Sequence, residues 1–368
     1  MKIKEQSYDN LAINYPIDKI TEKERLLFLD IETTGFTAKT SSLYMIGCAY
    51  YREQSFHLIQ WFAEYKEEES LILSAFLSFS KKFTYLVHFN GNNFDIPYLV
   101  EKCRQYGLIF HVECMDGLDL YRRVAPIKKF LKLENCKQKT IESFLQISRE
   151  DTYSGGELID VYHQYTKSPS PELYDLLAQH NADDIAGMLR ILPILSYVDL
   201  LTDPLVVTKA QGNYYHDIHG KQRQEIILNM KLATPLPIRI SFSRGGFYFT
   251  GEGYSASLRI PLYQEEMKYF YSNYKDYYYL PEEDTALHKS VASYVDTDHR
   301  QPATAATCYT KKYSLFLPEW SKLFTPIFKR DYHDNHAFFE LTDSFKTDRN
   351  AFAKYASHVL SHLMMLND

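Results

Sequence analysis

The chain has no apolar run approaching the ~20 residues that a membrane-spanning helix needs, and its first residues, MKIKEQSYDN, contain no apolar signal core. It therefore reads as a soluble, cytoplasmic protein with no membrane partner. Cysteine is scarce: Cys48, Cys103, Cys114, Cys136 and Cys308 are odd in number and form no CxxC pair, which excludes a disulfide framework and a zinc knuckle. Positive charge is also in deficit. A net charge of -6 excludes a protein that holds nucleic acid by bulk positive potential alone. Residues 201–368 hold 19 acids and 19 Lys plus Arg, so residues 1–200 carry the whole excess, 28 acids against 22 bases. A polyanion bound by such a half must be gripped locally, or through metal.

What is present is a core and a pattern. With 368 residues and 45% hydrophobic content the chain can bury a sizeable interior, enough for two domains or one large decorated one. The segment LLFLDIETTGF, Leu26 to Phe36, opens as a continuous apolar run and then places Asp30 and Glu32 two apart. On a strand, those side chains leave by the same face. Paired carboxylates on an apolar scaffold cost several kcal/mol per ion unless a positive charge compensates. A divalent cation does so. The bland alternative is a turn in which Glu32 is already solvated or paired to lysine.

The apolar periodicity gives a mixed α/β layer structure. LYMIGCAYY and SFHLIQWF read as strands bridged by a short REQ turn, KEEESLILSAFLSF as a helix, and TYLVHFN as a further buried strand. FDIPYLVEKCRQYGL reads as a helix starting near Asp95 and stopped by Gly107. DGLDLYRRV looks extended; TIESFLQI and GGELIDVYHQY read as short helices, and PELYDLLAQHNADDIAGMLRILPIL as one long helix. The expected organisation is an extension over 1–23, an α/β domain over 24–198 and an aromatic-rich α+β domain over 199–368.

Two more segments deliver acids to the ends or inner faces of such elements. HFNGNNFDIPYL puts Asp95 at a strand-to-helix junction, and QHNADDIAGM puts His180 and Asp184 four apart on one helical face. Singly, Asp95 reads equally as a helix cap and Asp184 as a surface acid.

Jointly, DIETTG, HFNGNNFD and HNADDI resemble the three motifs of the DEDD superfamily of 3′ to 5′ exonucleases. With LDLYRRV and ISREDTYSGGELIDVYHQY they are most similar to the YprB-like ribonuclease H-like domain family, over about Leu26 to Leu195. The resemblance implies a ribonuclease H-like mixed sheet flanked by helices, and it matches Asp30, Glu32, Asp95 and Asp184 to the four metal-binding acids. His180 stands where a general base is expected, with three residues between it and Asp184. That is the spacing of the superfamily's tyrosine branch, occupied by histidine.

The implied chemistry is phosphodiester hydrolysis assisted by two Mg²⁺ or Mn²⁺ ions ~3.5–4 Å apart, hard cations that take carboxylate oxygens and water. By that resemblance Asp30 bridges the ions, Glu32 and Asp184 complete the water-activating one, Asp95 holds the second through water, and His180 accepts the water's proton. Thr33, Thr34 and Gly35, with Asn90 and Asn93, are candidate contacts to the terminal nucleotide; each also serves as an ordinary turn former. The expected function is a 3′ to 5′ exonuclease favouring single-stranded DNA. The alternatives are a 3′ end-trimming exoribonuclease and a non-catalytic nucleic-acid-binding module.

The remainder resembles no family. Tyrosine numbers 31, with a dense run at KYFYSNYKDYYYL, 268–280. Two readings stand. Tyr269, Tyr271, Tyr274 and Tyr277 to Tyr279 form a base-stacking platform with Lys289, Arg300, Lys311 and Lys312, or they are strand-favouring residues packed between sheet and helix.

Overall fold

The structure, a computed structural model, describes residues 1–9, 11–148 and 155–365. The stretch 149–154, within one of the segments that carry the family resemblance, lies outside the described residues. The chain divides into two compact units, Met1–Asp199 and Leu200–Asp368, each taken by itself below.

The first unit is built on β1 (Lys2–Tyr8), β2 (Leu26–Thr33), β3 (Leu43–Arg52), β4 (Ser55–Phe62), β5 (Tyr85–His88) and β6 (Asp116–Asp119). Their order is β1-β4-β3-β2-β5-β6. β2 pairs parallel with β5, and β5 with β6, while the other pairs are antiparallel. The N-terminal stretch thus adds a strand to the sheet, Lys2 lying opposite Phe62. Arg52 and Ser55 are partners, so Glu53 and Gln54 form a two-residue hairpin turn, both at positive φ, 51° and 67°. Such turns match the twist of the strands they join.

Among the described residues seven helices accompany this sheet: α1 (Glu69–Ser80), α2 (Asp95–Gln105), α3 (Leu120–Val124), α4 (Gln138–Phe144), α5 (Gly155–Lys167), α6 (Pro171–Arg190) and α7 (Leu195–Asp199). β3 is buried on both faces. Ile46, Cys48 and Tyr50 pack with Ile72, Phe76 and Leu99 of α1 and α2, and Tyr44 and Met45 pack with Leu158, Tyr162 and Leu177 of α5 and α6. A strand covered on both sides reads as a continuous apolar run, as LYMIGCAYY does.

Two elements differ from the sequence reading. DGLDLYRRV is extended only to Asp119, whose carboxylate accepts the Arg122 N–H at 3.3 Å and so caps α3. The long helix closes at Arg190, because Pro193 removes a backbone donor and the chain passes through a 3₁₀ turn, Leu192–Ile194.

The second unit is antiparallel. β7 (Val206–His216), β8 (Gln222–Arg244), β9 (Phe247–Phe270), β10 (Tyr277–Leu280), β11 (Thr285–His288), β12 (Gln301–Pro302), β13 (Tyr309–Glu319), β14 (Ile327–Phe328) and β15 (Ala337–Glu340) form two sheets. One is ordered β14-β15-β13-β9-β8-β7, the other β11-β10-β12. β8 and β9 join at Gly245–Gly246, both at positive φ, 59° and 88°. The helices are α8 (Lys289–Ala292), α9 (Asp343–Thr347) and α10 (Arg349–Met365), the last burying Phe352, Tyr355, Val359, Leu360 and Leu363. No helix among the described residues is long and apolar enough to cross a membrane.

The tyrosine run packs more than it displays. Tyr271, Tyr274, Tyr277 and Tyr279 surround Ala286, Ala303 and Cys308, and Tyr269 lies against the Met267, Phe316, Phe328 and Phe338 cluster. Lys311 pairs with Asp284 at 2.7 Å and Lys312 with Glu340 at 2.7 Å. Tyr278 alone of the run stands between cations, Lys289 and Arg300 lying 5.5 and 4.9 Å from its ring centre. The packing reading therefore accounts for most of these residues.

Candidate active site

β2 runs between β3 and β5, so its last residues emerge from the middle of the sheet. Glu32 is still strand, opposite Met45, and the register slips only after it. Asp30 and Glu32 therefore share a face, as the two-residue period requires. The Asn90–Asn93 turn follows β5 and leads into α2, whose first residue is Asp95. Asp95 is 6% exposed and accepts the Ile31 N–H at 3.3 Å, which ties the start of α2 to the acidic end of β2. From α6, which packs against β2 and β3, come His180 and Asp184, one turn apart.

These segments meet. His180 Nε2 lies 3.3 Å from Asp184 Oδ2 and 3.8 Å from Glu32 Oε1, and the three ligand atoms fall within 4.8 Å of one another. Crowding and burial act on the remaining acids. Desolvation pushes the Asp30 carboxyl well above the ordinary range, and the charges of Glu32, Asp184 and Asp95 push it further. Asp95 is pushed up to about 7, first by desolvation and then by Asp119 and Asp184, against the backbone donors of its own residue and Ile31. Beside them Tyr44 is wholly buried and stacked on Tyr162 at 4.3 Å. Burial, Glu32 and Asp30 all raise its hydroxyl pKa.

The turn residues are placed as follows. Thr33 Oγ1 donates to the Gly35 carbonyl at 2.9 Å, and Thr34 Oγ1 accepts the Ser42 N–H at 2.8 Å. Asn90 sits at φ 61°, and its side-chain carbonyl accepts from Asn93 Nδ2 at 2.7 Å. Both loops are thus closed on themselves beside the acids. A buried pair fixes the first: Lys102 and Glu69 meet at 2.8 Å, Glu69 accepts the Leu43 N–H at 2.5 Å, and Lys102 donates to the Ser41 carbonyl at 2.5 Å.

Three buried residues to which the sequence assigned no role hold groups of the site. Asp119, 5% exposed, accepts the N–H groups of Asn90 and Asn92 at 2.9 and 3.4 Å. His88, 1% exposed, accepts the Gly91 N–H at 3.1 Å, and burial holds its imidazole pKa down. Asn181, fully buried, donates from Nδ2 to Asp30 Oδ2 at 2.8 Å. Their signal was present in HFNGNN, LDLYRRV and HNADDI, but only the fold shows what each one holds.

The donor set suits a hard divalent cation. Asp30, Glu32, Asp95 and Asp184 are oxygen donors crowded at one place, two of them held far from their ordinary ionisation by burial and mutual repulsion. Buried charge of one sign calls for compensation, and carboxylates are the ligands that Mg²⁺ and Mn²⁺ take. His111, Glu113 and Cys114 also bring ligand atoms together, but all three are exposed, and the 3.1 Å contact of His111 with Glu113 accounts for that turn.

Residues 27–196 match the family model RNase_H_2, of the RNase H superfamily. No curated protein sequence matches the chain. Among solved structures, the family B DNA polymerase of the archaeon Pyrobaculum calidifontis is similar at 17% identity and a TM-score of 0.40, over 48% of this chain and 25% of the polymerase. The zinc-bound complex of E. coli exonuclease I with single-stranded DNA is similar at 12% identity and a TM-score of 0.29, over 57% of this chain and 55% of the exonuclease. The chain thus spans a quarter of the polymerase and about half of exonuclease I.

Proposed function

From the RNase H-like fold of residues 27–196, we propose that the chain is a divalent-metal-dependent 3′ to 5′ exonuclease, a phosphodiester hydrolase that favours single-stranded DNA. The observation that carries this reading is the convergence of Asp30, Glu32, Asp95 and Asp184 from three separate segments around His180, whose Nε2 lies 3.3 and 3.8 Å from two of them. A binding module has no use for carboxylates that repel one another in a buried place.

Asp30, Glu32, Asp95 and Asp184 are the residues that would hold Mg²⁺ or Mn²⁺. When bound, such ions supply positive charge to the scissile phosphate and lower the pKa of water. The chain's own residues do the rest. His180 would accept a proton at Nε2 from the attacking water as the new P–O bond forms and the P–O3′ bond breaks. The closed loops at Thr33, Thr34 and Gly35 and at Asn90 and Asn93 offer backbone groups to the terminal nucleotide. Phe36, 91% exposed and edge-on to Phe94, presents a face on which its base stacks.

The test is a panel of end-labelled single-stranded and duplex DNA and RNA incubated with Mn²⁺ or EDTA, with circular single strands as control. We expect metal-dependent release of mononucleotides from free 3′ ends, intact circles, and no activity in Asp30→Ala at an unreduced melting temperature. Nicked circles move the reading to an endonuclease. Preference for RNA makes it an exoribonuclease, and binding without cleavage makes it a binding module.

A further inference from the structure

We infer that Asn181 is a positioning residue for Asp30, the last link of a directed hydrogen-bond relay that runs from the backbone of α6 across β4 to the acidic end of β2. This rests on the reading of Asp30 as the central metal-holding carboxylate.

Asp30 is the cross-strand partner of Gly47, and Gly47 that of Gln60, so the three form one row on one face of the sheet. α6 crosses that row. A Cβ at position 47 would lie 2.0 Å from Asn181 Oδ1 and 2.5 Å from Ile185 Cδ1. Gly47 is not among the residues at positive φ, so its requirement is for space rather than for backbone conformation. The missing side chain is the slot through which Asn181 reaches Asp30.

The orientation of each amide follows from its partners. The Ala178 carbonyl can only accept, so the end of Gln60 that meets it, at 2.8 Å, is Nε2. The same nitrogen donates to Asn181 at 2.9 Å, which makes that end of Asn181 Oδ1. The other end is then Nδ2, and it donates to Asp30 Oδ2 at 2.8 Å. Reversing either amide would set donor against donor or carbonyl against carbonyl. Gln60 is 1% exposed and Asn181 fully buried, and among the described residues Gln60 Oε1 has no hydrogen-bond partner. A buried amide with one end unmet costs stability, a cost that an apolar residue at position 60 would avoid. What the amide provides is a fixed donor for one oxygen of Asp30, which sets the plane of the carboxylate and favours its ionised form. α6 thereby delivers His180, the holder of Asp30 and Asp184 within five residues.

The experiment measures Mn²⁺ affinity without substrate by isothermal titration, the exchange of the Asn181 side-chain amide protons by NMR in the metal-free protein, and kcat against KM. We expect Asn181→Ala to weaken Mn²⁺ binding about 10- to 100-fold, the usual effect of removing a partner of a metal-holding group, and to lower kcat with KM for nucleic acid unchanged. Gln60→Met, which keeps the volume and leaves residue 181 in place, should weaken Mn²⁺ binding in the same direction and release the Asn181 amide protons to exchange. The double variant should be no worse than Asn181→Ala alone, because the two residues act in series. Because Gln60→Met is conservative in shape, it answers even where Asn181→Ala fails to fold. Mn²⁺ affinity within twofold of the parent in both variants, or losses that simply add, overturns the relay. If the parent binds no Mn²⁺, the reading of the site as a metal centre fails, and the amide still decides the relay. Protected protons that become labile in Asp30→Ala support it; labile protons in the parent overturn it.

Discussion

At the scale of single residues, Asp30 and Asp95 are placed against their own ionisation, and this has a measurable sign. Asp95 has its carboxyl pKa raised to about 7, chiefly by desolvation, from an unfolded value near 4. Between those values the folded chain binds the proton and the unfolded chain does not. The group therefore favours folding at acid pH, and that contribution is lost as pH rises toward 7. In urea denaturation of EDTA-treated protein, we expect Asp95→Asn to gain about 2–3 kcal/mol on the parent between pH 5 and pH 8, at about 1.4 kcal/mol per unit. Added Mn²⁺ should stabilise the parent more at pH 8 than at pH 5. A pH-independent difference between parent and variant removes Asp95 from the buried cluster. Asp30, Glu32, Asp95, His180 and Asp184 were legible in the sequence because each lies in a short motif whose spacing is local. Gly47 and Gln60 were not, because their meaning lies in cross-strand register, and nothing in LYMIGCAYY or SFHLIQWF tells which residue stands opposite Asp30; Asn181 stood in HNADDI, but only the crossing of α6 over that row shows what it holds.

At the scale of elements, the acidic end of β2 is held by two helix side chains that take no part in the chemistry. Glu69 of α1 and Lys102 of α2 are 1% and 3% exposed in their side chains and meet at 2.8 Å. Both also bind backbone at the start of β3, through the Leu43 N–H and the Ser41 carbonyl. Removing one partner of such a pair leaves an uncompensated buried charge and costs about 3–5 kcal/mol, whereas replacing both with apolar residues of similar size is often neutral. We expect Lys102→Met to lose stability on that scale in urea denaturation, and Glu69→Leu with Lys102→Met to recover most of it. Because the Thr33–Ser42 turn is anchored there, the double variant should keep its stability and still lose activity. Equal stability of the single variant and the parent would sink this account. Most strands and helices of this unit were legible from apolar periodicity, whereas β1 and α3 were not: KIKEQSY has too few apolar residues to read as a strand, and the cap of α3, Asp119, reads in sequence as one more residue of an extended run. The tyrosines of 268–280 were ambiguous for a different reason. β9 and β10 belong to different sheets, and alternation cannot tell a face that is covered from one that is open.

At the scale of the whole molecule, the net charge of -6 is set against the polyanionic substrate proposed above, and several of the basic residues are committed to acids of the chain. In the first unit Lys102 is paired with Glu69, Arg104 with Glu101 and Lys19 with Asp199. In the second, Arg223 is paired with Asp217, Lys311 with Asp284, Lys312 with Glu340 and Arg330 with Glu265. Near the site, Arg122 is 56% exposed in its side chain, lies 3.8 Å from Asp119 and reaches Asn93 at 3.3 Å, which puts one guanidinium beside the loop. If the strand is held mainly at its end, through the acids and this one guanidinium, few phosphates are neutralised by side chains and the affinity for a single strand should depend weakly on salt. A protein that makes 6–10 phosphate contacts loses about 10³–10⁵ in affinity between 50 and 200 mM salt. At constant Mn²⁺ we expect kcat/KM on single-stranded DNA to fall less than about tenfold over that range, corresponding to about one or two phosphate contacts. A thousandfold fall would mean that the strand is held along a basic surface, and the acidic balance of the first 200 residues would then have to be offset by the second unit. The Arg122→Ala variant separates the two cases. With few contacts it removes a large share of the salt slope, and with many it removes little.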